Sequence, residues 1–134
     1  MTSRTTAAPR RLCYELIGLR KNSASDGRSE FELPDNPNLG NSRGDVHGAA
    51  IFGLLDAACA EAARSSFPPG TGCATVSLTA SFMEPGRGGL IARGTVLRAG
   101  SRIVTVEAEA CDQAGALIAK AHGTVAVVRP HGKS

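Results

Sequence analysis

Tryptophan is absent from the 134 residues, tyrosine occurs once and phenylalanine four times. A single-strand nucleic-acid surface stacks bases on aromatic side chains interleaved with basic ones. With so few aromatics, and no basic stripe to go with them, no nucleic-acid partner is expected. The net charge of +3 does not alter this, because Arg4, Arg10, Arg11, Arg129 and Lys133 sit near the two ends. Scattered terminal charge serves solvation.

Long apolar runs are missing as well. Nothing approaches the ~20 apolar residues of a membrane-crossing helix, so no membrane partner is expected. Met1–Arg11 carries charge but no apolar run of ~7–15 residues behind it, which argues against a secretory leader and for a cytoplasmic location. The four cysteines, Cys13, Cys59, Cys73 and Cys111, lie far apart with no Cys-x-x-Cys pair, so free thiols are expected. Three scattered histidines give no metal-ligand spacing, and neither a P-loop nor a dinucleotide fingerprint is present. Neither a metal nor a nicotinamide cofactor is expected.

What is present is a helix with one misplaced charge. From Ala49 to Ala63 the chain lacks proline and is rich in Ala and Leu, the better helix formers. At 100° per residue Ile51, Leu54, Leu55, Ala58 and Ala62 form an aliphatic stripe, and Ala49, Gly53, Asp56 and Ala60 fall on the opposite side. A helix apolar nearly all round is buried on most sides, so Asp56 should face a crowded space. An ionisable group there costs several kcal/mol unless it is paired, neutralised or used. Glu61 follows at a spacing that does not share the Asp56 face and reads as solvent-exposed or structural.

The rest of the chain reads as extended. Residues 73–83 alternate Thr75, Ser77, Thr79 and Ser81 against Val76, Leu78, Ala80 and Phe82, the pattern of a half-buried strand. Further strands are predicted over 90–98, 102–111 and 116–128, and two shorter extended pieces over about 12–20 and 29–33. Pro85-Gly-Arg-Gly-Gly, Ala99-Gly-Ser and Asp112-Gln-Ala-Gly supply turn residues, so consecutive antiparallel pairing is the simplest connection. The expected fold class is α+β: one long central helix wrapped by a curved antiparallel sheet of about six strands, since one helix covers so long a sheet only if the sheet curls. Residues 12–128 are expected to form a single domain, with flexible tails at 1–11 and 129–134.

With these residues in view, Asn41-x-x-Gly44-x-x-His47-Gly48 followed by Asp56 resembles the signature of hotdog-fold acyl-CoA thioesterases of the phenylacetic-acid-degradation (PaaI-like) group. The text from Ala74 to Pro85, Val96 to Arg102, Asp112 to Ala119 and Gly123-Thr124 is similar to the same family, in one continuous order over roughly residues 14 to 128. The chain departs at Ala49, where that family more often has a second glycine.

The resemblance implies a homodimer or homotetramer with active sites at the dimer interface, an acyl-CoA substrate and no separate cofactor, CoA being part of the substrate. It implies that the Gly48 backbone N–H is the oxyanion donor, that Asp56 is nucleophile or general base, and that Asn41 orients water or the thioester carbonyl. Thr75 would reach water or substrate from the partner chain, and His47 would brace the loop. Backbone N–H groups at a helix N-terminus suit an oxyanion, because they need no reorganisation and the helix dipole favours negative charge there. The turn Arg98, Gly100, Ser101 and Arg102 is implied for the CoA phosphates, the two arginines reading equally as solvated turn residues. The acyl pocket would draw on Phe52, Leu55, Phe82 and Met83. Two other readings stand beside this one. Asp35-Asn-Pro-Asn38 resembles the loop of hotdog enoyl-CoA hydratases, although position 40 is glycine where a histidine would be wanted. A non-catalytic acyl-CoA-binding module is the other, and it would have little use for a carboxylate at position 56.

Overall fold

In chain order the elements are α1 (Cys13–Ile17), β1 (Arg20–Ser25), β2 (Arg28–Leu33), a 3-10 turn (Pro37–Leu39), α2 (Gly48–Arg64), β3 (Gly72–Phe82), β4 (Leu90–Ala99), β5 (Ile103–Asp112) and β6 (Leu117–Val128). These come from a computed structural model that describes residues 12–128. The expected tails at 1–11 and 129–134 lie outside the described residues. The six strands make one antiparallel sheet in the order β1-β2-β4-β5-β6-β3, and α2 packs across it. The α+β class, the central helix and the strand number agree with the sequence expectation. Among the described residues no helix is long and apolar enough to cross a membrane.

The predicted aliphatic stripe of α2 is what holds helix to sheet. Ile51, Leu54, Leu55, Ala58 and Ala62 are all buried, against Phe31, Leu33, Leu90, Val104, Val106, Ile118 and Val125. Leu55 belongs wholly to this core, so its assignment to an acyl pocket is corrected. Small residues set the separation. Ala57 and Ala58 on the helix meet a sheet carrying Ala92, Ala108, Ala110, Ala119 and Ala121, all buried. A Cβ added at Gly94 would collide with the Ala58 carbonyl, so the helix backbone lies almost on β4. Ser29 on β2 donates to that same carbonyl at 2.6 Å and ties the helix down. Pro68 and Pro69 follow soon after the helix end, where they cannot continue it.

Three points depart from, or add to, the sequence expectation. The extended piece expected over 12–20 is instead α1 followed by the first residue of β1. Tyr14 and Ile17, three residues apart, are the partly buried pair that packs on the core, and Gly18 at φ 84° closes the helix with Leu19 N–H donating to the Tyr14 carbonyl at 2.9 Å. Second, Asp26 (φ 52°) and Gly27 (φ 79°) form a two-residue hairpin turn between β1 and β2. Both central residues left-handed is the type I′ geometry, for which Asp-Gly is a preferred pair.

The third point concerns β3. It pairs with β6 and not with its sequence neighbour β4, which pairs instead with β2 and β5. The segment Pro85–Gly89 is therefore a crossover and not a hairpin turn. β3 lies at the edge of the sheet, and its expected half-burial is reduced to Leu78 and Ala80, which pack partly on the core. Val76 and Phe82 are 59% and 50% exposed. Glu61, left open between solvent-exposed and structural, is structural: its carboxylate is buried between Lys21 Nζ at 3.4 Å and Arg64 Nη1 at 3.3 Å.

Candidate active site

The chemistry-bearing residues fall into two groups. The first gathers at the helix N-terminus. Asn41 closes a small ring of backbone: its side-chain oxygen accepts from Arg43 N–H at 2.9 Å and Asp45 N–H at 3.1 Å, while its own N–H donates to the Asp45 carbonyl at 2.7 Å. Val46 N–H then donates to the Gly86 carbonyl at 2.8 Å, which fastens this loop to the β3–β4 crossover. His47 caps α2, its Nδ1 accepting from Ala49 N–H at 3.0 Å. This cap satisfies one of the N–H groups left without a helical partner at the start of α2.

Gly48, the first helical residue, is left with an N–H that has no hydrogen-bond partner among the described residues. A Cβ there would meet only the Phe82 ring at 3.9 Å, an ordinary contact. The chain's own packing therefore does not demand glycine at this position, and the space above the N–H is open. Around it lies a cleft of about 270 Å³ lined by Asn41, Arg43, Asp45, Val46, Gly48, Ile51 and residues 82–86. Phe82 and Met83, both expected at an acyl pocket, lie on its wall; Phe52 does not.

The second group lies further along. Asp56 is half buried, and Thr75 Oγ1 donates to its Oδ1 at 2.7 Å. Thr75 stands at a bulge in the β3–β6 pairing, between Thr75 and Ser77, of the kind that re-aims a side chain. One chain supplies both members of this pair. The negative charge of Asp56 contributes, after burial, to pushing the buried Cys59 thiol up to about 12; after burial and Glu61, it does the same for the Tyr14 phenol, also to about 12. Both groups stay protonated at neutral pH. All four cysteines are free.

Within one chain these two groups do not meet. Eight residues of helix at 1.5 Å each put the Gly48 and Asp56 backbones about 12 Å apart. The Gly48 cleft is not lined by Asp56. The turn carrying Arg98, Gly100, Ser101 and Arg102 is also distant: the β4–β5 pairing sets Ala99 opposite Val104 and Leu90 opposite Asp112, so this turn and the Gly48 cleft lie at opposite ends of the sheet. Asp35–Asn38 is a capped turn in which the Asn36 side chain accepts from Asn38 N–H at 3.0 Å. Among the described residues no three His, Cys, Asp or Glu side chains gather to hold a metal.

Sequence reasoning passed over one feature of the cleft. Asp45 is buried, with Arg87 Nε at 2.7 Å and Arg43 Nε at 3.5 Å from its two carboxylate oxygens. Hydrogen bonding from Arg87 holds its carboxyl below the ordinary 3.8. The signal was a charge set between Gly44 and Val46 in a motif otherwise occupied by loop formers, and an arginine inside a run read only as a turn. Because the folded-state value is the lower one, this pairing stabilises fully above pH 3.8 and is lost as pH falls through the depressed value. We expect Asp45→Asn to lower the thermal midpoint at neutral pH and to narrow that gap below pH 4, as followed by circular dichroism.

The family profile described as Thioesterase superfamily matches residues 43–128. A protein of Halobacterium salinarum, named as a candidate esterase, is 36% identical over 96 residues, spanning 68% of this chain and 64% of its own length, so the match covers less than two thirds of that relative. A conserved protein of Pseudomonas aeruginosa superposes with a TM-score of 0.82 at 34% identity, covering 86% of this chain and 92% of its own. A phenylacetic acid degradation-related protein of Ralstonia eutropha, named as a candidate thioesterase, gives 0.79 at 26% identity over 92% and 95%.

Proposed function

This chain belongs to the thioesterase superfamily, and from that premise we propose that it hydrolyses an acyl- or aryl-CoA thioester to the free acid and CoA. The observation that carries the reading is the Thr75–Asp56 hydrogen bond: a carboxylate set in an alanine-rich helix and aimed by a hydroxyl on an unpaired strand edge. A thioester is already a good acylating agent, so a site needs an oriented oxygen nucleophile and donors for the oxyanion.

The about 12 Å between the Gly48 and Asp56 backbones supports a site assembled from two copies of the chain. A nucleophile must come to about 3–3.5 Å from the carbonyl carbon whose oxygen the donor grips. One chain cannot supply both. The β3 edge offers unpaired backbone donors and acceptors beside exposed Val76, Phe82 and Met83, and pairing two such edges antiparallel brings the start of each β3 to the end of the other. Asp56 with Thr75 from one copy then stands opposite Gly48 and Asn41 from the second. In that composite site the Gly48 N–H steadies the carbonyl oxygen, and the free NH₂ end of Asn41 is placed to donate to water or to the carbonyl. Asp56 either takes a proton from the water whose oxygen attacks the carbonyl carbon, or attacks directly to give an anhydride that water then opens. In the first case the C–S bond of the tetrahedral adduct breaks and the thiolate takes up the proton held by Asp56; in the second the thiolate leaves as the anhydride forms, and the water that opens the anhydride supplies its proton.

The test is release of free CoA from phenylacetyl-, hydroxybenzoyl- and medium-chain acyl-CoAs, beside trans-2-enoyl-CoA followed for loss of its conjugated absorbance. Thiol release supports the reading; hydration of the enoyl group, or binding with no turnover, overturns it. Gly48→Ala is a companion measurement. With only a 3.9 Å contact to accommodate, it should fold as the parent does and lose about tenfold in kcat/KM by crowding the carbonyl out of reach of the N–H.

A further inference from the structure

The cleft beside the Gly48 N–H has one arginine in its lining and a second joined to it through Asp45, and hydrolysis itself has no use for either. Arg43 lines the cleft, and Arg87 leaves the crossover to meet the same buried Asp45. Each arginine approaches the carboxylate through Nε, at 3.5 and 2.7 Å, and each side chain is 75% exposed. One edge of each guanidinium is thus anchored, and the terminal amino groups remain accessible. Two cations share one buried carboxylate, so these three groups together carry one positive charge, set beside the exposed Glu84. The Asp45 backbone is itself locked in the Asn41 ring. Long side chains ordinarily lose considerable rotamer freedom when they grip a ligand, and anchoring them beforehand removes part of that cost.

Building on the acyl-CoA reading above, we propose that Arg43 and Arg87, held by Asp45, are the clamp for the phosphates of the CoA carrier. The pantetheine arm separates those phosphates from the thioester, so a phosphate clamp belongs on the rim of the cleft and not on its floor. Guanidinium is suited to the task because its remaining N–H donors match phosphate oxygens in pairs. Within one chain the turn that bears Arg98 and Arg102 lies at the other end of the same sheet from this rim. Glu84, exposed in the lining of the same cleft, opposes the clamp by like-charge repulsion of phosphate.

The measurement is the ratio of kcat/KM for one acyl group carried on CoA and on pantetheine, which lacks every phosphate. In Arg43→Ala/Arg87→Ala that ratio should fall by about tenfold or more, with smaller falls in the single variants and in Arg87→Lys, which keeps charge but loses the paired donors. Raising the salt concentration should lower the parent's ratio in the same direction. Glu84→Gln carries the opposite sign, a rise of about two- to threefold, and stays informative should the double variant fail to fold. If the pantetheine ester slows in step with the CoA ester, so that the ratio holds, the arginines only brace the loop and the clamp is wrong. It is equally wrong if Arg98→Ala/Arg102→Ala collapses the ratio while the Arg43 and Arg87 variants do not. Calorimetric binding of CoA itself separates this proposal from the hydrolase reading: a parent that binds CoA through these arginines and cleaves no thioester keeps the clamp and discards the hydrolase.

Discussion

Replacing Asp56 by alanine should lower kcat/KM for the best acyl-CoA substrate by at least ~100-fold, the scale of a lost general base or nucleophile. The fold should survive. Alanine is the best helix former, Asp56 is only half buried, and its neighbours on that face are small. Its removal also lifts a negative charge from the surroundings of Cys59 and Tyr14. The thermal midpoint should therefore stay near that of the parent, which separates lost chemistry from lost structure. Asp56→Asn sharpens the comparison. The amide keeps an oxygen for the Thr75 hydroxyl but cannot take a proton from water or open an ester, so a loss equal to that of alanine assigns the chemistry to the carboxylate. An alanine variant that turns over at the parent's rate would end the catalytic assignment.

The largest effect on stability is expected at Gly94. Its added Cβ would run into the Ala58 carbonyl and carbon, and lie within 2.9 Å of the Ser29 hydroxyl that holds the same carbonyl. These are backbone atoms of the central helix and a buried hydrogen bond, so nothing flexible can yield. Forcing even one methyl into a packed site costs about 1–3 kcal/mol, and more where backbone must move. Gly94→Ala should sit at or above about 3 kcal/mol, a fall of roughly 10–15 °C in the thermal midpoint for a domain of this size. Gly94→Ala with Ser29→Ala should recover little, because the carbonyl clash remains. A midpoint within about 2 °C of the parent would mean that helix and strand are further apart than described.

What could be read in advance follows from how local each signal is. The α2 stripe is a periodicity within one segment, and every residue assigned to it is buried. Asp26-Gly27 is as local and was available from the sequence, yet it was overlooked because the strand before it does not alternate: β1 is polar and mostly exposed. Gly18 likewise marked a helix end, but five residues of α1 are too few for a helical period to outweigh an apparent alternation. The pairing of β3 with β6 was not legible at all. No residue in Pro85–Gly89 tells a crossover from a hairpin turn, and the alternation of β3 reflects two faces, of which one is uncovered in a single chain. For the site, the motif supplied the residues but not their grouping. Only the helix rise and the sheet order show that Gly48 lies apart from both Asp56 and the Arg98–Arg102 turn, and only the folded loop brings Arg87 to Asp45 across 42 residues of chain.

The close seating of α2 on the sheet has a consequence for how such a protein changes its diet. Alanine against alanine, with a carbonyl resting over a glycine, leaves no space between the middle of the helix and β4 for the fatty or aromatic tail of the proposed substrate. On the proposed function, such a tail would run from the cleft at the helix N-terminus along the outside of the helix, against whatever covers the outermost strand. Its permitted length and girth are then written in surface side chains such as Phe52, Phe82 and Met83, which can be exchanged without disturbing a single layer of the interior.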